Sequence, residues 1–199
     1  PTVLRMLVDS PLLDGCTSVR QVVCGGEQLT GALAERFAAR LPVPLHNVYG
    51  PTEATIDVSA HTVAATDRYT GPVPIGRPVA GARLYVLDEA GELAPDGVVG
   101  HLHIGGVPVA RGYPGHPALT AERFVPDPFG PPGSRLYRTG DLVRWTGDVL
   151  TCVGRADAQL KVRGVRIEGD DRIVLIPPPR EIDNAIHHRE LTWERISPV

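Results

Sequence analysis

The chain has 199 residues, of which 42% are hydrophobic and 22% charged, the balance of an ordinary globular domain, and this excludes a coiled coil or a disordered tail as a description of the whole. A net charge of -3 leaves no basic footprint for nucleic acid or an anionic membrane surface, and no stretch approaches the roughly 18 continuous apolar residues of a membrane span. Cys16, Cys24 and Cys152 are odd in number and widely spaced, so neither a disulfide framework nor a zinc site follows from them, and reduced thiols in a cytoplasmic protein are expected.

The chain opens without a methionine at Pro1-Thr2-Val3-Leu4, which reads as a start inside a longer polypeptide. Val19 to Val23 is a short, β-branched run closed by Gly25-Gly26, the pattern of a strand ending in a tight turn. From Glu27 to Leu41 the residues Leu29, Leu33, Phe37 and Leu41 recur every fourth position, predicting an amphipathic helix that Pro42 stops. Val43 to Val48 is again a strand. Strand, helix and strand fit a βαβ-type unit, in which ligands gather at loops beyond the carboxyl ends of the strands. Here those loops are Cys24-Gly25-Gly26-Glu27 and Tyr49-Gly50-Pro51-Thr52-Glu53.

After Gly71-Pro72-Val73-Pro74 the pattern changes. Arg83 to Leu87, Val98 to Ile104, Leu136 to Tyr137, Leu142 to Trp145 and Val149 to Val153 are short apolar runs between glycine-containing turns, predicting an antiparallel, barrel-like β region. One short helix is expected at Pro117 to Phe124. Gln159 to Arg163 and Val165 to Ile167 alternate charged and apolar residues about Gly164, as an exposed hairpin does.

The loop Tyr49-Gly50-Pro51-Thr52-Glu53 places a flat ring, a flexible backbone, a hydroxyl and a carboxylate together. A ring can stack on a purine, a hydroxyl can bond a phosphate oxygen and a carboxylate can hold Mg²⁺. Taken alone, the same five residues also describe a turn with a core tyrosine and a surface acid. They are followed, however, by Gly100-His101-Leu102-His103-Ile104-Gly105-Gly106, Ala110-Arg111-Gly112-Tyr113, Tyr137-Arg138-Thr139-Gly140-Asp141 and Gly154-Arg155-Ala156-Asp157-Ala158-Gln159-Leu160-Lys161-Val162-Arg163-Gly164. In this order and spacing the chain, from about Val19 to Glu168, resembles the amino-acid-activating adenylation domains of nonribosomal peptide synthetases, relatives of the acyl-CoA ligases and luciferases.

The resemblance implies an α/β chain, a fragment of the adenylate-forming fold. Residues 1–75 would be the end of the α/β nucleotide- and substrate-binding subdomain, 76–156 a β-barrel-like subdomain and 157–168 the hinge with the terminal β-hairpin. It implies binding of ATP and Mg²⁺, with Tyr49 stacked on the adenine, Asn47 near its amino edge, Gly50 also in contact with the nucleotide, and Thr52 at the α-phosphate and Glu53 as the metal ligand serving as the catalytic pair. Asp141 would take the ribose hydroxyls and Arg155 the ribose or phosphate; alone, Asp141 is also an ordinary turn acid and Arg155 a surface arginine. Asp157 matches the hinge. Val23, Gly25, Val48, Ile56 and Asp57 would line the side-chain pocket, and a carboxylate at Asp57 there favours a polar amino acid. Lys161 and Arg163 match a hairpin that approaches the phosphopantetheine of a partner carrier domain, although solvated strand charges also explain them.

The implied partners are an amino acid and the peptidyl carrier and condensation domains of one assembly line. The implied activity is an AMP-forming ligation, with an acyl- or aryl-CoA ligase and an inactive remnant or interaction module as alternatives. The family's Ser/Thr/Gly phosphate loop ending in Lys-Gly is not among these residues, and 169–199 reads as a divergent tail without the family's lysine-bearing domain. The isolated chain is therefore expected to be inactive. Gly105-Gly106 and Arg111-Gly112-Tyr113 are expected to shape the β region only, Trp145 and Phe124 to be core, and His187-His188 to lack metal-ligand spacing.

Overall fold

The structure is a computed structural model that describes residues 1–64 and 66–157, together with the backbone of Leu160–Val162 and Val165–Ile167. The side chains of Lys161 and Arg163, His187-His188 and the segment 169–199 lie outside the described residues. No helix among the described residues is long and apolar enough to cross a membrane.

The chain opens with helix α1 (Thr2–Asp9), which buries Leu4 and Val8, and a 3-10 turn, Pro11–Gly15. Strand β1 (Val22–Cys24), helix α2 (Gly31–Arg40) and strand β2 (Leu45–Tyr49) follow, and β1 pairs parallel with β2, the βαβ-type unit that the apolar spacing predicts. The helix starts at Gly31 because the Thr30 hydroxyl accepts from the Leu33 amide at 3.3 Å, an N-cap worth about 1 kcal/mol. Leu33 and Phe37 of the helix, with Leu29 just before its cap, close the first core: they are buried with Cys24, Leu45 and Val63, with Leu4 and Val8 of α1 alongside. Each such side chain contributes roughly 1.5–3 kcal/mol on burial.

Strands β3 (Ser59–Val63) and β4 (Arg77–Pro78) extend this sheet antiparallel, giving the order β1-β2-β3-β4. From Ala82 onward a second, antiparallel sheet forms. It consists of β5 (Ala82–Leu87), β6 (Gly100–Gly106), β7 (Phe124–Pro126), β8 (Arg135–Thr146) and β9 (Val149–Arg155) in the order β5-β6-β8-β7, with β9 also paired to β8. Helix α3 (Pro117–Arg123) precedes β7. The runs Leu136–Tyr137 and Leu142–Trp145, which look separate in the sequence, belong to the single strand β8, which continues through Arg138-Thr139-Gly140-Asp141. Thr139 makes this possible, because its hydroxyl donates to the Leu102 carbonyl of β6 at 2.9 Å and so satisfies a polar group inside the sheet. Strands β10 (Leu160–Val162) and β11 (Val165–Ile167) pair antiparallel, as expected of the hairpin.

The second core contains Leu84, Val86, Leu102, Ile104, Phe124, Tyr137, Val143 and Leu150, and also Ala54, Val58 and Ile75. Ala54 and Val58 lie within the loop that connects β2 to β3. That loop is therefore anchored in the second core at the point where its strands leave the first.

Candidate functional site

Four of the polar residues that the sequence singles out, Tyr49, Asp141, Arg155 and Asp157, gather where β2, β8 and β9 meet. Tyr49 is the last residue of β2, and its ring packs against the second core. Its hydroxyl donates to the carboxylate of Asp141, a buried residue of β8. The other oxygen of Asp141 accepts from Nη1 of Arg155, the last residue of β9, at 2.6 Å. The same guanidinium grips Asp157 through two nitrogens, both at 2.7 Å, and donates to the Thr139 carbonyl at 3.1 Å. Arg123 stands 3.8 Å from Asp157 as well. The Asp141 amide donates to the Thr139 hydroxyl at 2.9 Å, so the carboxylate is fixed at both its backbone and its tip.

Burial, followed by the negative charge of Asp141 and the hydrogen bond to it, pushes the Tyr49 phenol well above its ordinary value of 10, and Tyr49 remains a neutral donor. Burial acts to lower Arg155, but its hydrogen bonds with Asp157 and the charges of Asp141 and Asp157 outweigh that and raise it. The result is a rigid acid, paired with a permanent cation and placed beside a flat ring. Each carboxylate oxygen can accept a second hydrogen bond, so Asp141 can still take a vicinal diol.

The loop after Tyr49 is tightly turned. A methyl group at Gly50 would collide with the Ile56 carbonyl oxygen, and Thr55 and Ile56 adopt the left-handed conformation at φ 55° and 75°, which is costly for β-branched residues. The loop carries a 3-10 turn, Thr52–Ala54, in which Thr52 is exposed and Glu53 is buried at 7% exposure. Glu53 accepts from the Tyr113 hydroxyl at 2.7 Å. No group of three or more metal-ligating side chains exists among the described residues; a lone carboxylate is compatible with Mg²⁺ that takes its other ligands from phosphates and water.

Asn47 is buried, and its amide donates to the carbonyls of Pro74 at 2.8 Å and Val73 at 3.4 Å, pinning that segment to β2. In the parallel pair Val23 stands opposite His46, so Val23 and Val48 lie on the sheet face away from Cys24 and Leu45 of the first core. Val23 is 60% exposed. Gly25 allows Val48 to lie across it, since a Cβ there would come within 2.7 Å of Val48 Cγ2. Ile56 and Asp57 are exposed on the β2–β3 loop. The structure therefore joins Tyr49, Asp141, Arg155 and Asp157 in one hydrogen-bonded cluster, groups Val23, Gly25 and Val48 on an open face, and holds Glu53 through a separate partner. Three participants are not singled out by the sequence: Thr139 and Tyr113, which lie inside its motifs, and Arg123 at the end of α3.

The model of the AMP-binding enzyme family matches residues 1–114. Phosphinothricin tripeptide synthetase PhsB of Streptomyces viridochromogenes is 54% identical over 170 residues, covering 84% of this chain and 14% of that protein. One of the plipastatin synthase proteins of Bacillus subtilis is 48% identical over 196 residues, covering 96% of this chain and 7% of that protein, a match that reaches past Glu168. The Vibrio cholerae adenylation domain AlmE, solved in complex with glycyl-adenosine-5'-phosphate, matches with a TM-score of 0.75 at 34% identity, covering 84% of this chain and 32% of that one. PA1221, an NRPS protein containing adenylation and PCP domains, gives a TM-score of 0.77 at 34% identity over 84% of this chain and 34% of that one. The chain spans only 14% and 7% of the length of these two synthetases. With its α/β unit, its antiparallel half-barrel and these relatives, the chain belongs to the AMP-binding enzyme family, as part of an adenylation domain of the nonribosomal peptide synthetase type.

Proposed function

We propose that these residues supply the adenosine- and metal-binding part of a domain that activates an amino acid with ATP and passes it to a carrier-protein thiol. In that reaction the amino acid carboxylate attacks the α-phosphorus and pyrophosphate leaves, giving an aminoacyl adenylate. Acyl transfer to a phosphopantetheine thiol of a peptidyl carrier domain then releases AMP. Positioning and electrostatic stabilisation provide most of the acceleration of such a displacement.

The observation that carries the reading is the Tyr49–Asp141–Arg155 cluster. The Tyr49 ring serves as a platform for the base, and Asp141, held by Arg155, accepts the ribose hydroxyls. Asn47 fixes the backbone of Val73 and Pro74 beside that platform. Gly50 lets the loop turn tightly, and the exposed Thr52 hydroxyl reaches for the α-phosphate. Mg²⁺, held by Glu53 together with phosphate oxygens, would neutralise charge on the departing pyrophosphate. Asp157, gripped by Arg155, marks the hinge toward the terminal hairpin. Val23, Gly25, Val48, Ile56 and Asp57 form the available part of the side-chain pocket, and Asp57 selects a side chain with a hydrogen-bond donor.

The test is a chimera in which this segment replaces its counterpart in a complete adenylation domain, assayed for amino-acid-dependent ATP–pyrophosphate exchange. Asp141→Ala is expected to reduce exchange by about 100-fold, in line with the loss of a buried charged acceptor. Exchange that ignores Asp141 would refute the assignment.

A further inference from the structure

The segment Ala110-Arg111-Gly112-Tyr113 looks from the sequence like a shaping element of the β region, yet three separate contacts tie the Pro108–Tyr113 stretch to the turn that carries Glu53. The Tyr113 hydroxyl donates to Glu53 Oε1 at 2.7 Å. The Ala110 amide donates to the Glu53 carbonyl at 2.9 Å, and the Thr55 hydroxyl donates to the Pro108 carbonyl at 2.8 Å. We propose that Tyr113 is a positioning residue that orients the Glu53 carboxylate toward a divalent cation, an inference that rests on the assignment of Glu53 as the metal ligand.

Tyr113 is itself held from several directions. Its ring meets Phe124 edge-on, with centroids 5.4 Å apart and planes at 71°, and Phe124 belongs to the second core. The Tyr113 amide donates to the Thr120 hydroxyl at 2.9 Å, which locks the segment onto α3. Gly112 has φ +139°, and a side chain there would collide with Thr120, so only glycine brings Tyr113 to this position. Helix α3 buries none of its own side chains fully; among its contacts, the one made by Thr120 gives it a task at the site.

The consequence for Glu53 is geometric. A buried carboxylate with one oxygen committed to a fixed phenol cannot rotate freely, so the direction of its second oxygen is set as well. The left-handed Thr55 and Ile56 that follow the Thr52–Ala54 turn show how closely the turn is determined by its surroundings, since such conformations persist only where neighbours enforce them. Residues that orient a metal ligand typically change metal affinity by about 10- to 100-fold when altered.

The experiment uses the 199-residue chain, with ATP and Mn²⁺ as probes. Nucleotide affinity is measured in EDTA, and Mn²⁺ affinity of the nucleotide-bound chain by electron paramagnetic resonance. Tyr113→Phe keeps the ring and its packing, so it is expected to leave affinity in EDTA unchanged while weakening Mn²⁺ about tenfold. Thr120→Ala, which leaves the phenol but releases the Tyr113 backbone, is expected to weaken Mn²⁺ by about threefold. In a Glu53→Gln background, Tyr113→Phe is expected to have no further effect. Wild-type Mn²⁺ affinity in Tyr113→Phe, or a loss that adds fully to that of Glu53→Gln, would overturn the inference while leaving the role of Glu53 intact. Identical Mn²⁺ affinities in wild type and Glu53→Gln would overturn the assignment of Glu53 and the inference with it.

Discussion

The Tyr49 hydroxyl donates to the carboxylate of Asp141 across 92 residues of sequence, and this bond joins the first sheet, where β2 ends, to the middle of the longest strand of the second. Because the ring of Tyr49 packs against the second core, the same side chain is both a structural bridge and the proposed base platform. Its two roles can be separated by removing only the hydroxyl.

Tyr49→Phe keeps the ring and removes one hydrogen bond to a charged acceptor, which is worth about 1.5–3 kcal/mol. The loss is expected at the lower end of that range, because Asp141 keeps its bond to Arg155. Urea unfolding followed by circular dichroism measures it, and an unchanged midpoint would show that the bond adds nothing to stability.

Arg155 serves two acids and a carbonyl from one guanidinium. Its side chain is 20% exposed and that of Asp141 11%, so removing the cation strands a nearly buried charge. Arg155→Ala is expected to cost about 3 kcal/mol. Arg155→Lys is expected to recover less than half of that, because an ammonium cannot reproduce a planar fork of donors. Denaturation midpoints of the two variants, compared with wild type, decide this.

Gly50→Ala places a methyl group against the Ile56 carbonyl oxygen, a backbone atom that cannot move aside. A destabilisation of about 2–3 kcal/mol is expected, with the β2–β3 loop losing hydrogen-exchange protection before the rest of the sheet. A thermal melt that matches wild type would contradict the close approach.

Burial lowers His103, and burial likewise lowers His61, from the ordinary 6.5. The fold therefore prefers both imidazoles neutral, and the unfolded chain binds more protons as the pH falls below that value. Their contribution is complete above about pH 6.5 and is lost as the pH drops through the depressed folded values. Asp67, held below 3.8 first by the Ala64 amide, acts only at still lower pH. The urea midpoint is expected to fall between about pH 7.5 and pH 5.5, and His103→Leu is expected to flatten that slope. A pH-independent midpoint would contradict it.

How much the sequence reveals depends on how local each cause is. The stripe Leu29, Leu33, Phe37 and Leu41 predicts α2, and all four side chains are buried, but the helix itself is shorter, Gly31–Arg40, because Thr30 caps its start and Leu41 its end. Helix α1 carries no start signal, since Pro1 offers no side-chain cap, and β3 reads Ser-Ala-His-Thr-Val, too mixed to announce a strand. Strand β8 looks broken because Arg138-Thr139-Gly140-Asp141 interrupts its apolar pattern, and that interruption carries the proposed ribose contact. Such conflicts between local pattern and fold are expected where function is built. Asp141 and Arg155 stand out through the order of the motifs. The partnership of Tyr113 with Glu53 spans 60 residues, and no local pattern encodes it.

The central claim, that Tyr49, Asp141 and Arg155 hold an adenosine, is tested most directly by equilibrium dialysis of the chain with AMP, alongside 2',3'-dideoxy-AMP and the Asp141→Ala variant. The account predicts that AMP binds and that removing either the ribose hydroxyls or the carboxylate weakens binding by about tenfold, the two losses not adding because they break the same contact. Equal affinity for AMP and its dideoxy analogue, or for wild type and Asp141→Ala, would contradict it.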